Sequence, residues 1–389
     1  MKGLWSLCRR QAGRYRQPMS TLRSSPAIAL DGTYPPTACS VPWTLDSTIV
    51  PLSYAHLIRL TDDVGMLEHA MGALPKREHG YCADDNARAL IVVTRAGDAP
   101  ELRGLADRYL AFLRHAYRGG GQFLNRFEYD RTWDVRRGET LDDGSGRALW
   151  ALGIAAIGAP EAHIRWAATE LFTDAAVFRS HYPRSAAFAA VGACELLAKG
   201  EHDGAEGLAK HALAQIGLPR PGTWMWPEDQ LTYANALLPH ALISVGFVMN
   251  DAAALDRGLA MLHWLVDLCT SPDGHLSVCP STGWTPTKLT YGGHQQPIEV
   301  STLADAAAAA YKTTTDGYWL VVLQKCIRWF LGENDGKSSM IDPSSGGGYD
   351  ALQPDGVNQN QGAESTLAML STVQHADLLA TIAAARAGV

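Results

Sequence analysis

The sequence predicts an all-α protein, an (α/α)6 barrel in which six outer helices surround six inner helices. From about residue 51 onward the chain is a succession of helical stretches rich in Ala and Leu, and strand-like alternation is scarce. Two classes of stretch alternate six times: one is apolar on nearly every face, and the other is amphipathic. A helix that is apolar all round is buried, whereas an amphipathic helix is half exposed. Solenoid repeats would show tighter and more uniform periods.

The first 45 residues are set apart from this pattern. Before the first acid, Asp31, they carry six basic residues, namely Lys2, Arg9, Arg10, Arg14, Arg16 and Arg23. Their apolar run is too short for the core of a signal peptide. We therefore expect a disordered basic leader over residues 1–45 and a single barrel domain over residues 46–389.

The two classes of stretch follow one another in a fixed order. The predicted outer helices cover residues 51–63, 101–117, 161–176, 204–216, 251–269 and 317–331. The predicted inner helices cover residues 84–96, 143–158, 184–198, 231–247, 297–311 and 362–374. Long loops precede the inner helices. Because the inner helices of such a barrel run parallel, we expect their N-termini, and these loops, to meet at one end.

Carboxylates are concentrated where the inner helices begin. Asp84 and Asp85 start the first inner helix, Asp143 lies in a Gly-rich turn, and Glu299 and Glu364 lie just inside their helices. Cleavage of a glycosidic bond needs one carboxyl that donates a proton to the leaving oxygen, and a second carboxylate that activates water or attacks. We predict Asp143 and Glu364 as this acid and base pair, with Asp85 as the substitute for either.

Other polar and aromatic residues of the same loops suit a sugar. Aromatic rings stack on sugar rings, which makes Trp226 and Tyr81 candidate platforms, and Arg126 is a candidate partner for hydroxyl groups. The full set predicted to bind substrate is His79, Tyr81, Asp84, Arg126, Trp226, Glu228, Asp229, His294, Gln295, Gln296, Glu299, Asn358 and Gln361.

Simpler structural explanations exist for these residues. An Asp or Ser at a helix start is an ordinary N-cap that binds free backbone N–H groups, and a Trp in a loop can be part of the core. Capping does not require Asp85 beside Asp84, nor does it explain Glu299 and Glu364 inside their helices. The combination of carboxylates, aromatics and amides at one end favours a binding site.

Metal and cofactor sites are not predicted. The barrel could bring His79, His181 and His294 together, but the sequence has no HExxH motif and no other fixed ligand spacing. Cys82 is followed by two acids that disfavour a thiolate, so we expect it to be a buried, inert thiol.

Charge and cysteine content restrict partners and location. The net charge of −7 argues against nucleic acid, because phosphate binding depends on clustered Lys and Arg. No apolar stretch approaches the roughly 20 residues that a membrane-spanning helix needs. The chain has seven cysteines, an odd number, with no CxxC pair and no N-glycosylation sequon, which favours a cytoplasmic location.

Seven motifs resemble those of a bacterial family of (α/α)6-barrel proteins found beside or fused to glycosyltransferases, and beside mannoside phosphorylases of glycoside hydrolase family 130. The motifs cover about residues 52–373 in order: LIRLTDDVGMLEHA, REHGYCADDNARAL, FLNRFEYDRTW, DDGSGRALWALG, EDQLTYANALLPHAL, HQQPIEVSTLADA and GVNQNQGAESTLAML. The resemblance implies handling of mannose- or glucose-containing oligosaccharides and a functional link to a glycosyltransferase. It carries no catalytic residue over to this chain.

Three functions are compatible with these observations. The first is an inverting glycoside hydrolase that acts on an oligosaccharide. The second is a sugar epimerase or isomerase on the same barrel, which would use paired histidines such as His79 and His294. The third is a noncatalytic carbohydrate-binding partner of a glycosyltransferase, which would need the aromatics and amides but not the excess of carboxylates.

Overall fold

The computed structural model describes residues 52–134, 141–200, 202–219 and 222–387. The leader predicted over residues 1–45 lies outside the described residues. Within the described residues twelve α-helices follow one another: α1 (Ala55–Leu60), α2 (Ala83–Ala96), α3 (Leu105–Ala116), α4 (Asp142–Gly158), α5 (Ala162–Ala175), α6 (Pro183–Leu197), α7 (Asp203–Ile216), α8 (Leu237–Val248), α9 (Ala252–Leu268), α10 (Pro297–Thr314), α11 (Tyr318–Phe330) and α12 (Ala363–Ala387).

The even-numbered helices form an inner ring. Each contacts the next along the chain, and α12 returns to contact α2. Each odd-numbered helix packs against the outside of an even-numbered one. The inner helices are buried over most of their length, whereas outer helices such as α3 bury one face only. The prediction of an all-α fold with six inner and six outer helices is confirmed.

Glycines allow two inner helices to approach closely. A Cβ atom on Gly153 of α4 would lie 2.1 Å from the carbonyl oxygen of Gly192 in α6. A Cβ atom on Gly192 would lie 2.3 Å from the carbonyl oxygen of Leu149. Both distances are far below van der Waals contact. The two helices α4 and α6 can therefore lie this close only because these two residues are glycines, which have no Cβ atom.

Short antiparallel strand pairs shape several of the loops that enter the inner helices. The pairs are β1 (Ala70–Met71) with β2 (Leu74–Pro75), β3 (Tyr81–Cys82) with β6 (Arg126–Phe127), β4 (Tyr117–Gly119) with β5 (Gln122–Phe123), β7 (Ile341–Asp342) with β8 (Gly347–Gly348), and β9 (Ala351–Gln353) with β10 (Gly356–Asn358). In the β3–β6 pair, Cys82 lies opposite Arg126. This pair joins the loop before α2 to the loop before α4.

One predicted helix start is wrong. We expected the fourth inner helix to begin at Leu231, whereas α8 begins at Leu237. The later start places Pro239 in the first turn, where its missing N–H costs no helical hydrogen bond. Residues 231–236 are instead part of the entrance loop, and this places Tyr233 and Asn235 beside the site.

Across the described part of the chain, no helix combines the length and the apolar character that crossing a membrane requires.

Candidate active site

Arg88 is the centre of a cluster of ion pairs at the start of the inner helices. It lies one turn inside α2 and is 8% exposed. Its guanidinium nitrogens lie 2.7 Å from Asp85 Oδ1, 3.1 Å from Asp84 Oδ2 and 2.7 Å from Glu364 Oε2. The two aspartates precede Arg88 by three and four residues on the same helix, which is the spacing that brings helical side chains together. Glu364 comes from the first turn of α12, so the cluster joins α2 to α12.

A second arginine extends the cluster to α4. Arg147 Nε lies 2.7 Å from Asp84 Oδ1. Neither atom forms a hydrogen bond, so this contact is electrostatic. The guanidinium carbon of Arg147 also lies 4.1 Å from the centre of the Phe188 ring in α6. Burial and the neighbouring Arg88 lower the pKa of Arg147. Asp84 therefore bridges two buried arginines and does not act as the N-cap of α2, a position that Cys82 occupies.

Asp143 lies in the first turn of α4, one helical turn before Arg147. Two hydroxyl groups donate hydrogen bonds to its carboxylate: Ser185 Oγ binds Oδ1, and Tyr233 Oη binds Oδ2. The N-cap position of α4 belongs to Leu141, so Asp143 does not cap its helix. Its carboxylate is held between α6 and the loop before α8.

Arg184 and Glu228 form a two-pronged ion pair on the α6 side of Asp143. The two nitrogen–oxygen distances are 2.7 and 2.8 Å. The side chain of Arg184 is 7% exposed, whereas that of Glu228 is 29% exposed. The guanidinium of Arg184 also lies 5.3 Å from the Tyr233 ring centre. This pair holds the tyrosine that binds Asp143.

Glu299 supports the loop before α8. Its carboxylate accepts hydrogen bonds from the backbone N–H groups of Ala234 and Asn235 and from Asn235 Nδ2. Burial raises its pKa to about 7, although the hydrogen bonds from Asn235 oppose the rise. Because Glu299 is 7% exposed and all three of these donors belong to the loop before α8, it braces this loop rather than contacting a ligand.

Asp85 is also a bracing residue. It is 2% exposed, and it accepts hydrogen bonds from Cys82 Sγ and Arg88. Burial raises its pKa to about 7, although Arg88 opposes the rise. Burial also raises the pKa of the Cys82 thiol, as expected for an inert cysteine. Asp85 therefore cannot substitute for a catalytic acid or base that touches substrate.

A small cavity lies inside the ring beneath the two arginines. Its volume is about 30 Å³, and its lining includes Arg88, Arg147, Ser301, Asp305 and Ser371. Ligand pockets for small molecules are on the order of ten times larger. This cavity is therefore too small to hold a sugar ring.

Two aromatic predictions are wrong. Trp226 is fully buried, donates its Nε1–H to Glu228 Oε2 over 3.1 Å, and packs on Trp264. Tyr81 is 1% exposed and donates its hydroxyl hydrogen to Asp62 Oδ2 over 2.6 Å. Neither ring has a free face for a sugar, because helices and loops cover both.

Two amide predictions are wrong for the same reason. Gln295 is fully buried; its amide donates to Asp335, and its oxygen accepts from Trp329 Nε1 over 3.2 Å. Gln361 is 3% exposed and donates to Asp342 Oδ2 over 2.8 Å. Both tie entrance loops together.

The remaining predicted residues lie at the rim or beside the cluster. His79 is exposed and contacts His69, and His294 is exposed and contacts Gln353. Arg126 binds Glu68 Oε2 at 2.8 Å. The structure shows no contact among the described residues that brings His79 and His294 together. The others are Asp229 and Gln296, which are exposed, and Asn358, which is half-buried and accepts from the backbone of Asn360.

Several residues of the site were not among those that we selected from the sequence. Arg88 and Arg147 each follow a predicted aspartate by four residues inside an apolar stretch, and this spacing is a signal that could have found them. Tyr233 and Ser185 had no such signal. Tyr182, 56% exposed and directly before α6, is an aromatic at the rim that we did not select.

One group of described residues has the composition of a metal site. Ligand atoms of Glu68, Cys82 and Asp85 lie within 4.8 Å of one another. Arg126 pairs with Glu68, and Arg88 pairs with Asp85. Two arginines in contact with this group oppose a further cation there, so the donor set does not fit a metal ion.

Comparison with known proteins identifies the fold only. No family model and no curated protein matches the chain. A sugar epimerase from a ruminal bacterium is 12% identical with a TM-score of 0.58, over 84% of this chain and 97% of that chain. A cellobiose 2-epimerase from Bacillus thermoamylovorans is 12% identical with a TM-score of 0.60, over 82% and 95%. The GH76 α-mannanase from Bacteroides thetaiotaomicron is 11% identical with a TM-score of 0.52, over 78% and 87%. At such identities the likeness establishes a shared barrel.

Proposed function

We propose that this chain is a carbohydrate-active enzyme, an inverting glycoside hydrolase that cleaves a mannose- or glucose-containing oligosaccharide. The observation that carries the proposal is the position of Asp143 and Glu364. They flank the line of ion pairs formed by Arg88, Asp84 and Arg147, on two different inner helices. The solved structures that share this fold include sugar epimerases and an α-mannanase, which supports a sugar ligand by analogy.

Asp143 is assigned as the base. The hydroxyl groups of Ser185 and Tyr233 bind one oxygen each and fix the orientation of the carboxylate. Each carboxylate oxygen can accept more than one hydrogen bond, so Asp143 can still accept one from a water molecule. The water oxygen attacks the anomeric carbon while Asp143 takes the proton that the water loses.

Glu364 is assigned as the acid. Its side chain is 42% exposed, and Arg88 binds its Oε2. A sugar that inserts between Arg88 and Glu364 would take the place of Arg88 beside this carboxyl group and would exclude water from it. Glu364 then donates its proton to the glycosidic oxygen as the bond from that oxygen to the anomeric carbon breaks.

Tyr182 is assigned as a sugar platform in place of Trp226 and Tyr81. Its ring is 56% exposed, and its backbone N–H donates to Ser180 Oγ over 3.0 Å. It lies three residues before Ser185, which binds Asp143. A ring at this position can stack on a sugar next to the cleaved bond.

The second candidate function is a sugar epimerase or isomerase, which the fold supports equally. Among the described contacts, His79 pairs with His69 and His294 with Gln353, so a reaction on this barrel that needs paired histidines would not use these two together. A cytoplasmic location and a functional link to a glycosyltransferase complete the proposal, and they rest on the cysteine pattern and on the resemblance of the motifs.

The test is turnover of α- and β-linked manno- and gluco-oligosaccharides, followed by anomer-resolved NMR. The parent protein should release a new reducing end with inverted configuration. Asp143→Asn and Glu364→Gln should each lower the rate by about 10² to 10⁴ at nearly unchanged stability. Glu206→Gln, on outer helix α7 and paired only with Lys210 in the described contacts, is the control. Rates within a few-fold of the parent in both variants would reject the assignment, and conversion of the sugar to its epimer without cleavage would favour the second candidate.

A further inference from the structure

The charges at the open end of the barrel are unbalanced. Among the residues that the structure describes, three arginines, Arg88, Arg147 and Arg184, share this region with six carboxylates: Asp84, Asp85, Asp143, Glu228, Glu299 and Glu364. Protonation of Asp85 and Glu299 would still leave more carboxylates than arginines. A ligand that contacts this described cluster therefore meets a surplus of negative charge.

Each of the three arginines is already bound to a carboxylate. Arg184 forms two hydrogen bonds to Glu228, at 2.7 and 2.8 Å, and this two-pronged geometry is the one that a phosphate would need. Arg88 contacts three carboxylates. Arg147 lies between Asp84 and the Phe188 ring. A phosphate or a sugar carboxylate could bind Arg88 or Arg184 only by competing with a carboxylate fixed to the fold.

The acids that would repel such a ligand are also the ones that reach solvent. The side chains of Glu364 and Glu228 are 42% and 29% exposed, whereas those of Arg88 and Arg184 are 9% and 7% exposed. An approaching anion therefore meets the carboxylate of each pair before the guanidinium.

From this arrangement we infer that the site takes uncharged or amino-bearing sugars, excludes sugar phosphates and uronates, and uses water rather than phosphate as the acceptor. The inference rests on the proposed function and narrows it, because phosphorolysis would need a phosphate ion next to the anomeric carbon. An amino group on the sugar would be protonated at neutral pH, and the surplus carboxylates would attract it.

The experiment has a binding arm and a product arm. Calorimetry compares one neutral gluco- or manno-oligosaccharide with its glucosamine-containing, 6-phosphorylated and uronate counterparts at constant ionic strength. The anionic forms should bind on the order of tenfold more weakly, or worse, and the amino form at least as well as the neutral one. In the product arm, inorganic phosphate should leave the turnover rate unchanged and should yield no sugar 1-phosphate.

Two variants test whether the carboxylates paired with the arginines are what excludes anionic ligands. Glu228→Gln removes the charge that occupies Arg184, and Glu364→Gln removes one that occupies Arg88. In either variant the affinity for the 6-phosphorylated ligand should rise several-fold relative to that for the neutral ligand, whereas Glu206→Gln should leave the ratio unchanged.

Two results would overturn this inference: equal or tighter binding of the anionic ligands by the parent protein, or formation of sugar 1-phosphate. Either result would still be consistent with a carbohydrate-active enzyme. Failure of every sugar to bind or turn over would reject the proposed function, and this inference with it.

Discussion

Replacement of Asp85 by Asn should change how the stability of the barrel depends on pH. Burial raises the pKa of Asp85 from 3.8 to about 7 in the folded chain. Below about pH 4 the carboxyl is protonated in both the folded and the unfolded state, so it does not affect the free energy of unfolding. As the pH rises toward 7, the unfolded chain loses this proton and the folded chain does not, so the fold loses stability.

The size of this effect follows from the shift. One pKa unit corresponds to about 1.4 kcal/mol, so between pH 5 and 7 the parent protein should lose roughly 2 kcal/mol through Asp85 alone. Asp85→Asn cannot ionise and avoids this loss. The stability of the variant relative to the parent should therefore rise by roughly that amount over the same interval and level off at about pH 8.

The assay is urea unfolding of the parent and the variant at pH 5, 6, 7 and 8. Asp98→Asn, at an exposed position after α2, controls for the change in net charge. A difference between parent and Asp85→Asn that stays constant within about 0.5 kcal/mol across these pH values would refute the reasoning. It would mean that Arg88 keeps Asp85 ionised despite its burial.

Two further substitutions separate packing from binding. Gly153→Ala should destabilise the fold by about 1 to 3 kcal/mol, because its methyl group would overlap the Gly192 carbonyl. Thermal unfolding measures this loss. Gly200→Ala is the control, because its added methyl group meets no atom within 4 Å. A melting temperature of Gly153→Ala equal to that of the parent would show that α4 and α6 can move apart freely. Tyr182→Ala should weaken oligosaccharide binding several-fold at unchanged melting temperature, whereas Trp166→Ala, 67% exposed on outer helix α5, should not alter binding. Unaltered affinity in Tyr182→Ala would remove the platform role.

The fold could be predicted because burial of a whole helix is visible in its own sequence. The stretch that forms α10 has apolar or small residues on every face, and only a position inside the ring accommodates that. Pro183 and Pro297 each lie in the first turn of an inner helix, and the starts predicted at residues 184 and 297 agree with these positions. The start of α8 was missed because Leu231 continues the apolar pattern, and only the position of Pro239 indicates the true start.

The site could be predicted in part, because burial of a single side chain depends on its neighbours in space. Asp84 and Asp85 are adjacent in sequence but point about 100° apart around α2. Asp84 is 19% exposed and faces Arg147, whereas Asp85 faces inward onto Cys82. The sequence places both at the right helix start, but it does not show which of them reaches solvent.

Burial of the aromatic residues was also not visible in the sequence. Trp226 and Tyr81 lie in loops, as a sugar platform would, but loops of this barrel pack against helices. Trp264 of α9 lies against Trp226, and Phe112 of α3 lies against Tyr81. Contacts between a loop and an outer helix far away in sequence decide these positions, and one sequence contains no pattern that reports them.

The interior of the barrel supports placing the chemistry at the N-terminal end of the inner helices. Deeper in the ring, Asp305 lies 2.9 Å from both Arg95 and His375. Burial alone would raise the pKa of Asp305, but Arg95 and His375 outweigh burial and hold the pKa well below its usual range. That buried carboxylate is fully compensated, so it stabilises the fold.

At the entrance the balance is the reverse. Asp85 and Glu299 are buried with raised pKa values, and among the described residues the carboxylates around them outnumber the arginines. The buried carboxylates at the entrance cost stability at neutral pH, whereas the carboxylate of Asp305 deeper in the ring is balanced by its ion pairs. Unbalanced buried charge of this kind concentrates at functional sites, because a ligand or a reaction can use it. This contrast within one ring of helices favours the entrance, rather than the deeper ion pairs, as the place of the proposed site, where Asp143 and Glu364, and not the buried Asp85 and Glu299, would contact the sugar.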